Sequence, residues 1–439
     1  MNNNISQTDG SSIQSSYEIL EAKLYTNHTN QVPINIYPII QKILIKESLY
    51  SAGIGVEIRI IDGINLLDNL KLMGNEKIFL KVVQRGIDES IEKKFELNLY
   101  VSNITDFARS KPGSDAYSLI CVSKHVYLNQ FTILDKQFSG TVGNNIANIC
   151  SQQLKIPAKL RDITDSFGDI QGIYPSLKPI EAIVFQLRAA NQLVYFYENL
   201  KGIVHLKGHS ELVSKDIVST YTTSPFYRKD IGTTESRDEQ QEKVLRFSSN
   251  LNVSKLEASS NGVYSSETFA VDISNKTVTT TPHGAHGGAL LNPGESVSNN
   301  NIEFDFKNQP EARTYSVSVN SKAFDAKENY HHSYNSIHNI QGHKHDLDTI
   351  RARIVVYGDI DISVGNIIQL NVPPTGQAEL DTDKDQYFTG KYIITDIVHN
   401  FDSEYTMEMV IKKDSFPVNT DAKRIAIEGE ETPSKGVGV

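Results

Sequence analysis

Five of the twelve histidines lie between positions 331 and 345, a density that suggests a metal site. They are His331, His332, His338, His343 and His345, and they are followed by Asp346 and Asp348. Imidazole and carboxylate groups are ligands for zinc and nickel. The segment has no spacing such as HExxH, which would place two histidines and a general base on one helix face. We therefore predict no metal and no cofactor, and we interpret the cluster as the polar face of a helix that runs into a loop.

Residue patterns for other catalytic chemistry are also missing. The chain has no GxSxG and no SxxK with its partner motifs, and Cys121 lies in an apolar strand where a small buried thiol is expected. His283 and His286 lie in a glycine-rich loop, and residues 284–288 lack the preceding apolar strand and following helix of a phosphate loop. No carboxylate stands in an apolar context that would raise its pKa for glycoside cleavage. We predict no catalytic residues, and an enzyme is disfavoured.

Composition excludes several classes of protein. The 439 residues include 43 basic and 53 acidic side chains, a net charge of −10, and the basic ones are scattered among the acids. Binding of a nucleic acid requires clustered lysines and arginines. Nucleic-acid binding is therefore disfavoured. Two cysteines, Cys121 and Cys150, can neither staple a chain of this length nor form a thiolate zinc site. No apolar run approaches a membrane span and no signal peptide is present, so we expect a soluble chain made in a cytoplasm.

Hydrophobic periodicity predicts two β-rich blocks separated by a smaller mixed unit. Residues 55–63 alternate apolar and polar side chains and end at an Asp-Gly turn, and residues 405–412 alternate almost without interruption. Helical spacing appears at 139–150 and again at 179–190, where a proline stands in the first turn. A hairpin is predicted at 193–206. The pattern is typical of a mainly β chain with an α+β insert.

These signals divide the chain into six parts. The predicted parts are a disordered arm at 1–16, a β domain at 17–138, an inserted α+β domain at 139–220, a polar β and loop region with a helix at 221–346, a second β domain at 347–414 and a flexible tail at 415–439. Within the polar region, residues 277–301 are predicted to form a long loop, and the helix is predicted around 336–345.

Three stretches resemble the central baseplate hub protein of contractile-tailed bacteriophages. In the first, at 45–63, Glu47-Ser48-Leu49-Tyr50 leads into a strand that ends at an Asp-centred turn. The second is the Pro-started helix within 175–190. The third runs from Gly358 through a glycine-terminated turn and a strand that carries His399, and then into the final alternating strand. Together these stretches extend, in order, over most of the chain.

The resemblance implies a fold, an assembly and a set of partners. The two β domains would be tube-type antiparallel β-barrels, and a homotrimer would present six of them, joining a hexameric tail tube to a trimeric spike. The implied partners are a tail tube or tube-initiator protein above, a spike protein below and neighbouring baseplate wedge proteins. DNA would pass through the lumen without specific binding, and no membrane span is implied. The implied location is the tail baseplate of the virion, after assembly in the host cytoplasm.

Two alternatives stay open from the sequence. The chain could be the hub of a related contractile injection system, such as a type VI secretion spike or a tailocin. It could instead be a tail-tip metal-dependent hydrolase that uses the histidine cluster. The polar segment at 275–330 and the histidine cluster depart from a compact hub, so the role of both is undecided at this point.

Overall fold

The computed structural model describes residues 17–26, 32–85, 92–111, 114–223, 242–251, 260, 262, 266–273, 275–283, 290–291, 314–319, 332–373, 385 and 387–415. The predicted arm at 1–16 and all but the first residue of the tail at 415–439 lie outside these residues, as does much of the polar segment at 275–330.

Strands dominate the described part of the chain. They are β1 Tyr17–Tyr25, β2 Ile34–Asn35, β3 Ile40–Ser48, β4 Gly55–Asp62, β5 Lys77–Arg85, β6 Glu92–Lys111, β7 Ser114–Ser123, β8 Gln137–Thr141, β9 Arg161–Ile163, β10 Asp169–Ile173, β11 Val194–Glu198, β12 Val204–Gly208, β13 Ile217–Thr222, β14 Val244–Leu251, β15 Ser266–Asp272, β16 Thr277–His283, β17 Thr314–Val319, β18 Ile350–Tyr357, β19 Ile367–Asn371, β20 Gly390–Phe401 and β21 Tyr405–Lys413. The helices are α1 Leu66–Leu70, α2 Lys124–Leu128, α3 Val142–Gln152, α4 Pro179–Arg188, α5 His209–Val213 and α6 His332–Leu347.

One sheet of thirteen strands carries most of the fold. Its order is β14-β18-β21-β20-β3-β4-β7-β6-β5-β1-β2, and β19 joins β20 and also pairs with β13. Within this sheet every pairing is antiparallel except that of β13 with β19. The prediction of a mainly antiparallel β chain with a small α+β insert is confirmed.

The two predicted β blocks meet edge to edge through β3 and β20. These strands pair antiparallel from Asp396 opposite Ser48 to Phe401 opposite Ile43. Inward side chains from both blocks enter one continuous hydrophobic core, because alternate residues of each strand point to the same side of the sheet. In the described residues the strand path is open and neither block closes on itself. The division into two barrel domains at 17–138 and 347–414 stays a prediction.

The insert has its own hydrophobic core between α3, α4 and two small sheets. Helix α4 begins at Pro179, where the absent backbone N–H has no helical partner to lose. The backbone N–H of Lys178 donates to the Glu181 carboxylate at 3.0 Å, which caps the same end. Strands β11 and β12 form the predicted hairpin, with Val194 opposite Gly208. The helices predicted at 139–150, 179–190 and 336–345 are all present.

The prediction of a long loop at 277–301 is wrong for its first part. Residues 277–283 form β16, which pairs with β15, and β15 pairs on its other side with β17. The segment Thr277–His283 is rich in β-branched threonine, which favours a strand. Most of its side chains are exposed, so the apolar alternation that marks a half-buried strand is absent.

Gly358 lies against the ring of Tyr405 at the end of β18. A Cβ at this position would stand 2.2 Å from Cδ1 of Tyr405, and that ring stacks on Phe401 with centroids 4.3 Å apart. We expect Gly358→Ala to lower the free energy of unfolding by about 2 kcal/mol, because the buried ring must shift. Chemical denaturation monitored by circular dichroism measures the loss. Gly55→Ala is the matched control, since a Cβ there meets nothing within 4 Å.

Candidate functional site: the strand junction and its surroundings

Three polar side chains are enclosed where β3, β20 and β21 lie side by side. Nε2 of His399 lies 2.7 Å from Oε1 of Glu47, and Nδ1 of His399 lies 2.8 Å from the hydroxyl of Tyr405. The side chains of Glu47 and His399 have no exposed surface, and Tyr405 has none either. We call this set the junction triad. It links the first β block to the second through side chains as well as through the backbone.

The hydrogen bonds of the junction triad form one consistent chain. With the imidazole proton on Nε2, the ring donates to the Glu47 carboxylate and accepts at Nδ1 from the Tyr405 hydroxyl. Burial raises the pKa of Tyr405 well above its usual value, so the phenol keeps its proton. The backbone N–H of Val364 donates to the second oxygen of Glu47 at 3.4 Å. Because no substrate can reach these atoms, the arrangement connects strands and offers no route to acid–base chemistry.

The predicted turn after Gly358 is where three parts of the molecule meet. It ends at Gly365, whose φ of +79° is a left-handed conformation that favours glycine. Lys93 of the first β block lies 2.7 Å from Asp359, and Lys201 of the insert lies 2.8 Å from Asp361. Although partial burial opposes ionisation of Asp361, hydrogen bonds from both lysines lower the pKa of its carboxyl. These ion pairs bring the two β blocks and the insert together at one turn.

A second buried carboxylate attaches the insert to the first β block. Glu198 lies at the end of β11 and accepts hydrogen bonds from the Ser123 hydroxyl and, at 3.0 Å, from the backbone N–H of Ile54. Nε2 of His125 lies 3.8 Å from the same carboxylate oxygen but only 2.7 Å from the carbonyl oxygen of Ala52. A nucleophilic triad would instead place the imidazole between the serine and the acid. The arrangement therefore fixes the turn before β4 against the insert.

The outward face of the large sheet is continuous across the junction. A single cross-strand row spans ten strands, and each member is opposite the next. The row is Arg246, Val355, Glu408, Val398, Lys46, Gly55, Val122, Tyr100, Lys77 and Tyr25. None of its members is buried, and the surrounding charges are of both signs, as in the ion pair of Arg353 with Glu408 at 3.2 Å. The face is thus a broad, partly exposed surface with charges of both signs.

The structure places three of the predicted histidines, His283, His338 and His343, in two separate ring pairs. His338 stacks on His283 with ring centroids 5.3 Å apart, and its Nδ1 lies 2.8 Å from the Ser266 hydroxyl. His343 lies against His209 of the insert, with centroids 5.5 Å apart. In the part of the chain that the structure describes, no three histidine, cysteine, aspartate or glutamate side chains form a group able to hold a metal ion.

Some of the predicted site residues cannot be placed in this way. His286 and His331 lie outside the described residues, as does the side chain of His332. The two cysteines are buried and free, and burial raises the pKa of Cys121 and that of Cys150, the latter to about 12. Both thiols therefore stay protonated.

The expectation that no acid stands in an apolar context is wrong. Glu47 is fully buried in the core, and burial raises the pKa of Asp414. The sequence does indicate that Glu47 is buried, because it follows Ile43 and Ile45 at alternate positions of β3 and so points to the same side of the sheet. His399 likewise occupies an inward position of β20, between Ile397 and Phe401. Two polar residues at core positions of different strands indicate a buried pair.

Known proteins resemble this chain in structure but not detectably in sequence. No protein-family model matches the sequence, and no curated protein matches it. A tail protein from Neisseria meningitidis MC58 has a similar structure, with a TM-score of 0.52 and 10% identity, covering 91% of this chain and 97% of the other. A 43 kDa tail protein of prophage MuSo2 from Shewanella oneidensis is also similar, with a TM-score of 0.51 and 10% identity, covering 91% of this chain and 100% of the other. The chain has the fold of these two tail proteins.

None of the helices in the described residues combines the length and the hydropathy needed to cross a membrane.

Proposed function

We propose that the chain is a structural component of a contractile phage tail, a homotrimeric hub that joins the hexameric tail tube to the trimeric spike. The observation that carries the proposal is the structural likeness to two tail proteins over nearly their whole length. In this proposal a tube or tube-initiator protein binds above, a spike protein binds below, and wedge proteins of the baseplate surround the hub. The protein is then part of the virion and assembles in the host cytoplasm.

The arrangement of the large sheet supports the proposed symmetry. Each chain supplies two β blocks side by side, at 17–138 and 347–414, which we propose to be the two tube-type domains. Three copies related by a threefold axis then present six blocks, which matches a hexameric ring above and a trimer below. The β3–β20 pairing supports this proposal, since it joins the two blocks of one chain laterally as neighbours in a ring would be joined.

The outward face of the sheet supports a conduit for DNA that does not bind it. A polyanion is held by clustered lysines and arginines facing phosphates. Here several of the basic side chains are already paired, for example Lys42 with Asp402 at 3.6 Å and Arg353 with Glu408 at 3.2 Å. We propose that this face, which points away from the hydrophobic core of the chain, lines the lumen of the assembled ring. The hub of a related contractile injection system would share the geometry and differ in its cargo, whereas the paired histidines give a tail-tip metallohydrolase no support.

The mass of the purified protein tests the trimer. We expect mass photometry at micromolar concentration to show particles of three times the chain mass of 49.0 kDa, and negative-stain images to show a ring with six similar lobes around a channel. A stable monomer that also fails to associate with a tail tube protein would contradict the hub. Trimers without a central channel would contradict the conduit while leaving the assembly role in place.

A further inference from the structure

An apolar groove of about 790 Å³ lies between helices α4 and α6. Helix α4 contributes Ile180, Val184 and Leu187 to one wall, a spacing that places the three side chains along one helix face. Helix α6 contributes Ile337 and Ile340 to the opposite wall, again at helical spacing. Among the described residues, the two helices therefore form opposite walls of the groove.

The floor of the groove is also apolar and is formed by residues at the ends of two strands. It includes Leu49, which follows β3, together with Leu193 and Tyr195 at the start of β11. Leu49 and Tyr195 are buried, whereas Val184 on the wall is 44% exposed. Together with the other apolar side chains of the two walls and the floor, Val184 forms a contiguous apolar surface, and such surfaces mark sites where partners bind.

Basic side chains stand at the groove although the chain is acidic overall. Arg188 and Lys344 lie in the last turns of the two wall helices, and both are exposed. Neither has an ion pair with another described residue. The third cation of the lining, Lys412, already pairs with Asp348. Two available cations flanking an apolar groove, in a chain of net charge −10, are complementary to an apolar segment with acidic flanks.

We propose that this groove binds an amphipathic, acidic helix of a partner protein. The ridged walls accept a third helix whose apolar side chains, spaced i, i+3, i+4 and i+7, insert between α4 and α6. Its carboxylates then pair with Arg188 and Lys344. This assigns a docking surface beyond the proposed hub contacts, and it holds whether or not the protein is a trimer.

Two labelled peptides of about 16 residues test the proposal by fluorescence anisotropy with the full chain. Both carry the same leucine stripe, and one has glutamates and the other lysines on its polar face. We expect the acidic peptide to bind about tenfold more tightly than the basic one. The double variant Arg188→Glu/Lys344→Glu should reverse that preference. Val184→Asp, at an exposed position that the fold tolerates, should weaken binding of the acidic peptide about tenfold.

The matched control is Arg59→Glu/Lys71→Glu, which makes the same change in net charge at two exposed positions that do not line the groove. It should leave the preference for the acidic peptide in place. The proposal is overturned if neither peptide binds, if the two bind equally, or if the control variant reverses the preference as well. A change in the mass of the free protein on Val184→Asp would also overturn it, because the occupant would then be a second copy of this chain.

Discussion

Replacing Glu47 with alanine is expected to lower the free energy of unfolding by about 4 kcal/mol. The change removes one partner of a fully buried pair and leaves His399 in the core without the carboxylate 2.7 Å from its Nε2. It also removes the acceptor for the backbone N–H of Val364. Guanidinium denaturation followed by circular dichroism measures the loss as a shift of the midpoint.

Two further variants make the result on Glu47 specific. Lys46→Ala changes the neighbouring residue of β3, which is exposed on the opposite face, and should alter stability by less than about 0.5 kcal/mol. Glu47→Gln keeps an oxygen acceptor for His399 and should lower the free energy of unfolding clearly less than Glu47→Ala does. If Glu47→Ala is no more harmful than Lys46→Ala, the junction triad does not hold the two β blocks together.

Acidification is expected to destabilise the protein through His209, an insert residue in α5 that contacts His343 of α6. Burial, and secondarily the nearby His343, lowers the pKa of His209 to about 3. The unfolded chain therefore binds a proton between about pH 6.5 and 3 that the folded chain does not, and stability is lost as the pH falls through that window. We expect this residue to lower the free energy of unfolding by about 2 kcal/mol between pH 7.5 and 5, and by about 4 kcal/mol near pH 3.

Denaturant titrations of the wild type and of His209→Gln at both pH values isolate this contribution. The glutamine variant should lose about 2 kcal/mol less than the wild type between pH 7.5 and 5, because its side chain does not titrate. His343→Gln removes one neighbouring imidazole but not the burial, so it should recover only part of the difference. Equal pH dependence in the wild type and in His209→Gln would show that the contact between α5 and α6 does not sense pH.

The sequence was sufficient to predict those elements whose patterns are local. The strand at 55–63 alternates strictly and ends at an Asp-Gly turn, and α4 has a proline in its first turn and a continuous apolar face. The glycine-ended turn at Gly365 also appears as expected. In each case neighbouring residues decide the conformation, so the pattern is visible in a short window.

The contacts that matter most depend on residues far apart in the chain. Glu47 and His399 are separated by 352 positions, and nothing near either residue indicates which strand will lie beside it. The exposed strand β16 was missed for the opposite reason, because its side chains give no apolar alternation. The groove between α4 and α6 likewise depends on two helices that no local pattern relates. Local sequence patterns therefore do not indicate which strands and helices become neighbours in the fold.

The β3–β20 pairing has a mechanical consequence. Six residue pairs hold these two strands in antiparallel register. A force directed along the strands loads the hydrogen bonds of the ladder simultaneously, whereas a force across them breaks the bonds one after another. The two blocks are thus expected to resist sliding past each other far better than being pulled apart, which makes this junction stiff against shear along the strands and compliant to opening across them.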